Sequence, residues 1–362
     1  MTLIWWVIFF IDLLFAAGLM STYISRNDYK KQFVASYSKT EYKTNPLVII
    51  PVKGVDYGLE RNLRSIMNQD YGPFDVVAVV DSDDDPSVEF LRKVGINYML
   101  SSTVCAGCSG KVRAIHSALV KHPNYGCYVI VDSDVMVSPS WLSKLLSPLS
   151  SQSVGASTTF PVFYPEGGFW SKMKMYWGLV GQSMMESNLT KFVWGGSMAF
   201  RRDLLDDESL KMFSESLSDD IAILQITRKK GLAISYVPES RPQIHSTDNF
   251  RTFMEWSNRQ TAFSIYSSRK VFAFGITYYT IWIYILFSAI FLSTLESPIF
   301  LILLLPFFYN SVNSQRKVPV RVWYFLFLTF LLPFVYVWNL ISGLTLKEVV
   351  WRGTVYSLSR RS

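Results

Sequence analysis

Cysteine is scarce in this chain: Cys105, Cys108 and Cys127 are the only three in 362 residues. Three cannot make a disulfide framework. Cys105 and Cys108 form a C-x-x-C, but no second pair exists to complete a zinc site. The pair reads as incidental to a loop, with a redox or metal role as the alternative. A P-loop is missing too. The string "SGKVRAIHSAL" offers Gly110-Lys111 but lacks the spaced glycines and the Ser/Thr after the lysine. No stretch interleaves basic with aromatic side chains, so the net charge of +7 does not point to nucleic acid. That charge gathers beside apolar runs and suits an anionic membrane leaflet. The first apolar run has no basic segment before it, which argues for an uncleaved anchor over a secretory signal.

Apolar residues are what the chain has in excess: half the total, with 16% aromatic. They concentrate in four runs, Leu3 to Met20, Val271 to Leu295, Pro298 to Val312 and Val322 to Leu344. A spanning helix needs about 20 apolar residues, a length that the third run falls short of. Asp12, inside the first run, must be met by a partner or by headgroups. Arg26, Lys30, Lys31, Lys39 and Lys43 follow that run and predict a cytosolic middle. Two readings of the C-terminal runs stay open: a re-entrant third run around Pro306, or a hairpin in the fourth at Pro333. The expected product is a multi-pass integral membrane protein. Its layout is an anchor over 1–22, a cytosolic α/β domain over 44–245, an amphipathic interfacial helix over 246–268, two to three transmembrane helices over 270–345, and a basic tail over 346–362.

Within 44–245, apolar strings alternate with helical patterns. "PLVIIPV", "FDVVAVV" and "CYVIV" read as strands; "LERNLRSIMNQ", "SVEFLRKV" and "KVRAIHSALVKH" read as helices. That alternation predicts a parallel, doubly wound sheet, with ligands at the carboxyl ends of its strands. Two strand ends are acidic, "VDSDDDP" after the second and "VDSDVMV" after the later one. Paired carboxylates repel unless a cation lies between them. A solvated Asx turn is the plain reading of Asp132-x-Asp134; a Mg²⁺ or Mn²⁺ site that then holds phosphate is the sharper one. Convergence of both acid groups on one crevice favours the second. Farther on, Asp219-Asp220 opens a helical pattern and exceeds what one helix cap requires. "FRTFMEWSNRQTAF" places Phe253, Trp256, Gln260 and Phe263 at helical intervals just before a span, the pattern of an interfacial helix with its aromatic residues toward lipid or an acceptor tail.

Taken in order, these strings resemble the inverting family-2 glycosyltransferases of the GT-A (Rossmann-like) fold, and most closely the ceramide glucosyltransferase branch. The tail "LISGLTLKEVVWRGTVY" is similar to that branch as well. The resemblance implies that Pro51 and Lys53, Asp81 with Asp83 or Asp84, Lys111, Asp132 and Arg259 contact a UDP-sugar donor. It implies a divalent metal on Asp132 and Asp134, and Asp220 as the catalytic aspartate. It implies a lipid acceptor near Gly195, Gly196, Asp219, Trp256 and Gln260. The sequence departs from the branch at "WSNRQ", where Trp256 replaces the first residue of a Q/R-x-x-R-W element and Gln260 replaces its tryptophan. Asp134 also departs, since the branch lacks the second acid. The implied activity is transfer of a hexose, glucose, to a lipid hydroxyl. A polyprenyl phosphate acceptor and a membrane-bound nucleotide-sugar binder without turnover are the alternatives.

Overall fold

The computed structural model describes residues 4–20, 42–105, 107–188, 190–351 and 354–357. Arg26, Lys30, Lys31 and Lys39, on which the expected orientation rests, lie outside them. The chain divides into two compact units. Residues 42–163 and 181–246 make one; residues 4–20, 164–180 and 247–357 make the other. The sequence predicted one continuous domain over 44–245. The difference is that 164–180, with its aromatic residues, packs with the apolar helices.

The first described helix is α1 (Ile4–Met20) of the apolar unit. The sheet unit then runs β1 (Pro46–Pro51), α2 (Leu59–Met67), β2 (Asp75–Val80), α3 (Ser87–Val94), β3 (Asn97–Leu100), α4 (Gly110–Lys121), β4 (Cys127–Val131), β5 (Val135–Met136), α5 (Trp141–Leu146), β6 (Val154–Thr158) and β7 (Val162–Pro165). After α6 (Phe169–Met185) it continues through β8 (Ser197–Arg201), α7 (Asp207–Ser214), α8 (Asp219–Lys229), β9 (Ala233–Tyr236) and β10 (Gln243–Ser246). Seven strands form the main sheet in the order β3-β2-β1-β4-β8-β6-β9. β1 pairs in parallel with β2 and β4, so the strand order reverses beside β1. Such a reversal opens a crevice at the carboxyl edge.

The sheet departs from the expected all-parallel pattern at β8, which runs antiparallel to β4 and β6. The reason lies in its connection. β6 ends at the carboxyl edge, and after α6 the chain re-enters the sheet at that same edge, with Ser197 opposite Val131. An entry there can only run the strand backwards. Buried aliphatic residues line both faces: Val48, Ile50 and Val129 pack under α2 and α5, while Leu47, Ile49 and Ile130 pack under α4 and α8.

The loop after β1 is fixed by one carboxylate. Asp85 accepts from Gly54 N at 3.0 Å on each oxygen, from Ser87 N at 2.9 Å and from Ser87 Oγ at 2.6 Å. Gly54 has φ +71°, which a Cβ would strain. Asp85 thus ties the Lys53-Gly54 turn to the start of α3.

The apolar unit continues with α9 (Phe250–Ser267), α10 (Arg269–Leu295), α11 (Leu305–Lys317), α12 (Phe325–Thr345) and a hairpin of β11 (Glu348–Trp351) with β12 (Thr354–Ser357). Among the described residues, two helices, α10 and α12, are long and apolar enough to cross a membrane; α1 is shorter. α12 passes through Pro333 as one helix, which rules out the hairpin reading. The short third run forms a 3₁₀ turn (Pro298–Leu304) and then α11, which ends in Arg316 and Lys317. Asp12 finds its partner in Ser288 of α10, whose hydroxyl donates to it.

The interfacial helix is shorter than expected, since 243–246 form β10 and α9 starts at Phe250 after an Asn249/Thr252 capping box. Phe253 does not face outward. It is fully buried and stacks on Trp170 at 5.6 Å, because its side of α9 packs against α6. Trp256 packs edge-on to Trp177 at 4.8 Å and under the Lys174 ammonium at 4.7 Å. A buried polar node holds α6, α9 and α12 together. Asn339 accepts from Trp177 Nε1 at 3.0 Å and donates to Ser257 Oγ at 3.0 Å and Asn258 Oδ1 at 2.7 Å.

Two outcomes follow from these contacts. Asn339→Leu strands the buried Trp177 indole N–H and takes a donor from Ser257 and from half-buried Asn258, and it should lower stability by about 1–3 kcal/mol, read from thermal melts of the detergent-purified protein. Unchanged melting would mean the node is idle. Asp85→Ala should speed amide exchange at Gly54 and Ser87 by at least about tenfold, the equivalent of a loss of roughly 1.5 kcal/mol from charge-assisted bonds. Exchange equal to that of the parent would mean that Asp85 does not anchor the loop.

Candidate active site

The carboxyl edge of the main sheet collects most of the polar residues singled out in the sequence. Pro51 ends β1, and Lys53 follows it. Asp81, just beyond β2, lies between two cations: Arg113 Nη2 at 2.6 Å and Lys53 Nζ at 3.6 Å. Both pairs are partly exposed, so they orient the carboxylate more than they stabilise the fold. Asp83 turns toward β3, where Tyr98 Oη donates to it at 2.9 Å. Asp84 is exposed in the turn.

The centre of the edge is a clamp around Lys111. Ser109 caps α4 by accepting from Val112 N at 3.2 Å, which sets Lys111 in the first turn. Its Nζ lies 2.7 Å from Asp132 Oδ1 and 3.2 Å from Asp219 Oδ2. The second contact is an ion pair without hydrogen-bond alignment. Burial pulls the Lys111 pKa down, but Asp132, Asp219 and Asp220 more than reverse this and hold it above the usual lysine value. The ammonium therefore stays charged. Asp219 is itself pushed up, first by burial and then by Asp220, against the pull of Lys111.

Backbone geometry makes room for this clamp. Asp132 N donates to Gly196 O at 3.2 Å and so joins the end of β4 to the loop before β8. A Cβ on Gly195 would overlap Asp219 Oδ2, so the carboxylate can lie there only against a bare Cα. Thr158 Oγ1 accepts from Trp194 N at 3.0 Å and fixes the start of the same loop. Between the two acids of the D-x-D, Ser133 is buried. Its hydroxyl donates to Asp56 at 2.5 Å, and its carbonyl accepts from Asn62 Nδ2 at 3.1 Å. Asp132 and Asp134 remain half-buried on either side of it.

Asp220 follows Asp219 at the start of α8. Its Oδ1 accepts from the Ser218 hydroxyl and, at 2.7 Å, from Ile221 N. Both bonds fall on the same oxygen.

The structure thus brings together Lys111, Asp132, Asp219, Asp220, Gly195 and Gly196. Asp83 and Asp84 stand apart from that group. Trp256, Arg259 and Gln260 sit on α9 in the apolar unit, all half-buried. Sequence reasoning missed four residues that build the site: Asp56, Asn62, Asp85 and Arg113. Asp85 carried a readable signal, an acid just before Pro86-Ser87 at a helix start. Asn62 carried a weaker one, a polar residue on the apolar stripe of α2 between Leu59 and Leu63 and Ile66. The C-x-x-C also differs from its reading as an incidental pair, since Cys105 and Cys108 form a disulfide with their Cα atoms 5.8 Å apart. Cys127 is free and buried in β4, where burial raises its thiol pKa.

Comparison with known proteins adds to this geometry. Among solved structures, the chain is similar to the mannosyltransferase PcManGT from Pyrobaculum calidifontis in complex with GDP-Man and Mn²⁺. The TM-score is 0.59 at 16% identity, over 93% of this chain and 99% of that one. At that identity the likeness is one of fold. A weaker match, with a TM-score of 0.38 and 14% identity over 62% of this chain and 79% of the other, is glucosyl-3-phosphoglycerate synthase from Mycobacterium tuberculosis in complex with Mn²⁺ and UDP-glucose. The family of glycosyl transferase family 21 matches residues 13–362. With an α/β sheet of the GT-A kind and a match over nearly its whole length, this chain belongs to glycosyl transferase family 21.

Proposed function

We propose that the protein is a membrane-bound inverting glycosyltransferase of the ceramide glucosyltransferase type. It moves glucose from UDP-glucose to a hydroxyl of a lipid acceptor and forms a β-glycolipid. The observation that carries the reading is the placement of Asp220 at the start of α8, next to the Asp219–Lys111–Asp132 clamp at the carboxyl edge. A nucleotide sugar needs cations and donors for its diphosphate and a base for the incoming hydroxyl; that edge offers both.

In the proposed step, the acceptor oxygen attacks the anomeric carbon from the face opposite the diphosphate. The new C–O bond forms as the bond to the diphosphate breaks, so an α-linked donor gives a β-glycoside. Asp220 takes the hydroxyl proton, and UDP leaves with the bonding pair. Arg113 and Lys53 orient Asp81 toward the uridine. Arg259, by its place in the motif, is assigned to the diphosphate, for which a guanidinium fork is suited. Trp256 and Gln260 are assigned to the acceptor on the same ground. The helices α10 and α12 suit attachment to a membrane, and the basic residues after the first apolar run suit a cytosolic site.

Mg²⁺ or Mn²⁺ fits the donor set. Asp132 and Asp134 offer hard carboxylate oxygens, and among the described residues no cluster of three or more His, Cys, Asp or Glu makes a closed cage. A small divalent cation is commonly held in this way, by one or two carboxylates with substrate phosphates completing its shell. When bound, it would neutralise charge developing on the leaving diphosphate.

Transfer from radiolabelled UDP-glucose to lipid hydroxyl acceptors by the detergent-purified protein tests this reading, with mass spectrometry of the product. Asp220→Asn should cut turnover by about 10²–10⁴-fold, the usual worth of a general base, with donor affinity near that of the parent. An equal loss of affinity and turnover would move the base elsewhere. Product found only on polyprenyl phosphate would replace the acceptor. Nucleotide binding without product in either form would make the protein a binder.

A further inference from the structure

The clamp puts a cation where electrostatics alone would not. Lys111 stands in the first turn of α4, at the positive end of the helix macrodipole. Its side chain is 10% exposed. A buried ammonium there is tolerable only because carboxylates surround it: Asp132 and Asp219 in contact, and Asp220 close enough to act on it. Together with Asp134, four acids share this edge with one lysine. Without a cation among them, the carboxylates in contact would be buried without compensation.

One of the two contacts of Lys111 falls on Asp132, a carboxylate that the proposed function gives to a divalent metal. Its Nζ takes Oδ1 of that group at 2.7 Å. A divalent ion on the other oxygen of Asp132 would still lie within about 5 Å of the ammonium, where two cations repel. It therefore binds best when it displaces the ammonium from Asp132 or arrives with enough negative charge to offset both.

We propose that Lys111 is a resident stand-in for the divalent cation: in the donor-free protein its ammonium neutralises Asp132 and Asp219, and it keeps the metal out until a nucleotide diphosphate brings compensating charge. The inference rests on the Asp132/Asp134 metal reading given above. It makes cation and nucleotide binding mutually dependent, since each raises the affinity for the other by the same factor. It also gives Lys111 a positioning role in the empty enzyme, where it holds α8 and hence Asp220 in register with β4.

The test measures Mn²⁺ affinity of the full chain in detergent, by calorimetry or by the electron-paramagnetic signal of free Mn²⁺, with and without UDP. Without UDP, the parent should bind Mn²⁺ weakly. Lys111→Met and Lys111→Gln should bind it at least about tenfold more tightly, because the competing charge is gone. Lys111→Arg, which keeps the charge, should remain as weak as the parent. UDP should tighten Mn²⁺ binding strongly in the parent and less in Lys111→Met. A Lys111→Met affinity equal to or below that of the parent would overturn the proposal while leaving the metal reading intact. So would parental Mn²⁺ binding that is equally tight with and without UDP, a measurement that needs no variant to fold. If no form binds Mn²⁺ even with UDP and transfer proceeds in EDTA, the metal reading falls and the stand-in falls with it.

Discussion

Crowding of carboxylates at one sheet edge is the constraint on which the site depends. Asp132 and Asp134 leave β4 where Asp219 and Asp220 begin α8. Left alone, such groups would raise one another's pKa and push the elements apart. Lys111 resolves the conflict by reaching two of them from a third element. Much of the surrounding architecture serves that contact. Ser109 fixes the first turn of α4, Gly195 clears space for Asp219, and the Asp132–Gly196 backbone bond ties β4 to the loop that leads into β8. Buried ion pairs of this kind contribute little net stability, because desolvation cancels most of the attraction. What the clamp supplies is register: removing its lysine would leave charges buried without compensation.

The half of the edge proposed for the donor works differently. Asp81 faces Arg113 and Lys53 in partial exposure, where solvent screens the pairs. Rigidity there comes from backbone amides. Asp85 accepts from Gly54 N and Ser87 N, and it fixes the loop that carries Lys53. One half of the edge is therefore organised by a buried cation and the other by a carboxylate that caps backbone donors. An open, wet donor side suits a nucleotide that must enter and leave. A buried clamp suits groups whose spacing must not change when it does.

The strands β1, β2 and β4 were legible because burial on both faces writes a continuous apolar string. The acids after β2 and β4 were legible because a strand end is a local feature. Asp219-Asp220 stood out at a helix start, but a role for Asp220 came only through resemblance, and the pairing of Lys111 with its two acids was not reachable at all. Asp132 and Asp219 meet Lys111 from 21 and 108 residues away in the sequence, and no period or cap encodes that distance. The reversed β8 was hidden for a related reason: "SMAFR" reads the same in either direction, and only the route of the chain through α6 decides. Asp85 and Asn62 were passed over for a third reason. Each gives only a local hint, an acid before a helix start or a polar residue on an apolar stripe, and its use of backbone partners shows only once the loops have closed.

The apolar unit carries the same lesson. Its long helices α10 and α12 are apolar nearly all round, so periodicity there says little about which side faces which neighbour. Phe253 read as a lipid-facing anchor and is buried on Trp170. The specificity lies in a few polar atoms: Asn339 with Trp177, Ser257 and Asn258, and Asp12 with Ser288. Among apolar surfaces, sliding one helix past another costs little, whereas breaking a buried hydrogen bond leaves donors without partners. Position along and around each helix is therefore set by these bonds. The stack of Trp177 on Tyr336 and Tyr336 on Tyr279 then fills the space between them. In both units, then, a small number of buried polar contacts selects one arrangement among the many that apolar burial alone would tolerate.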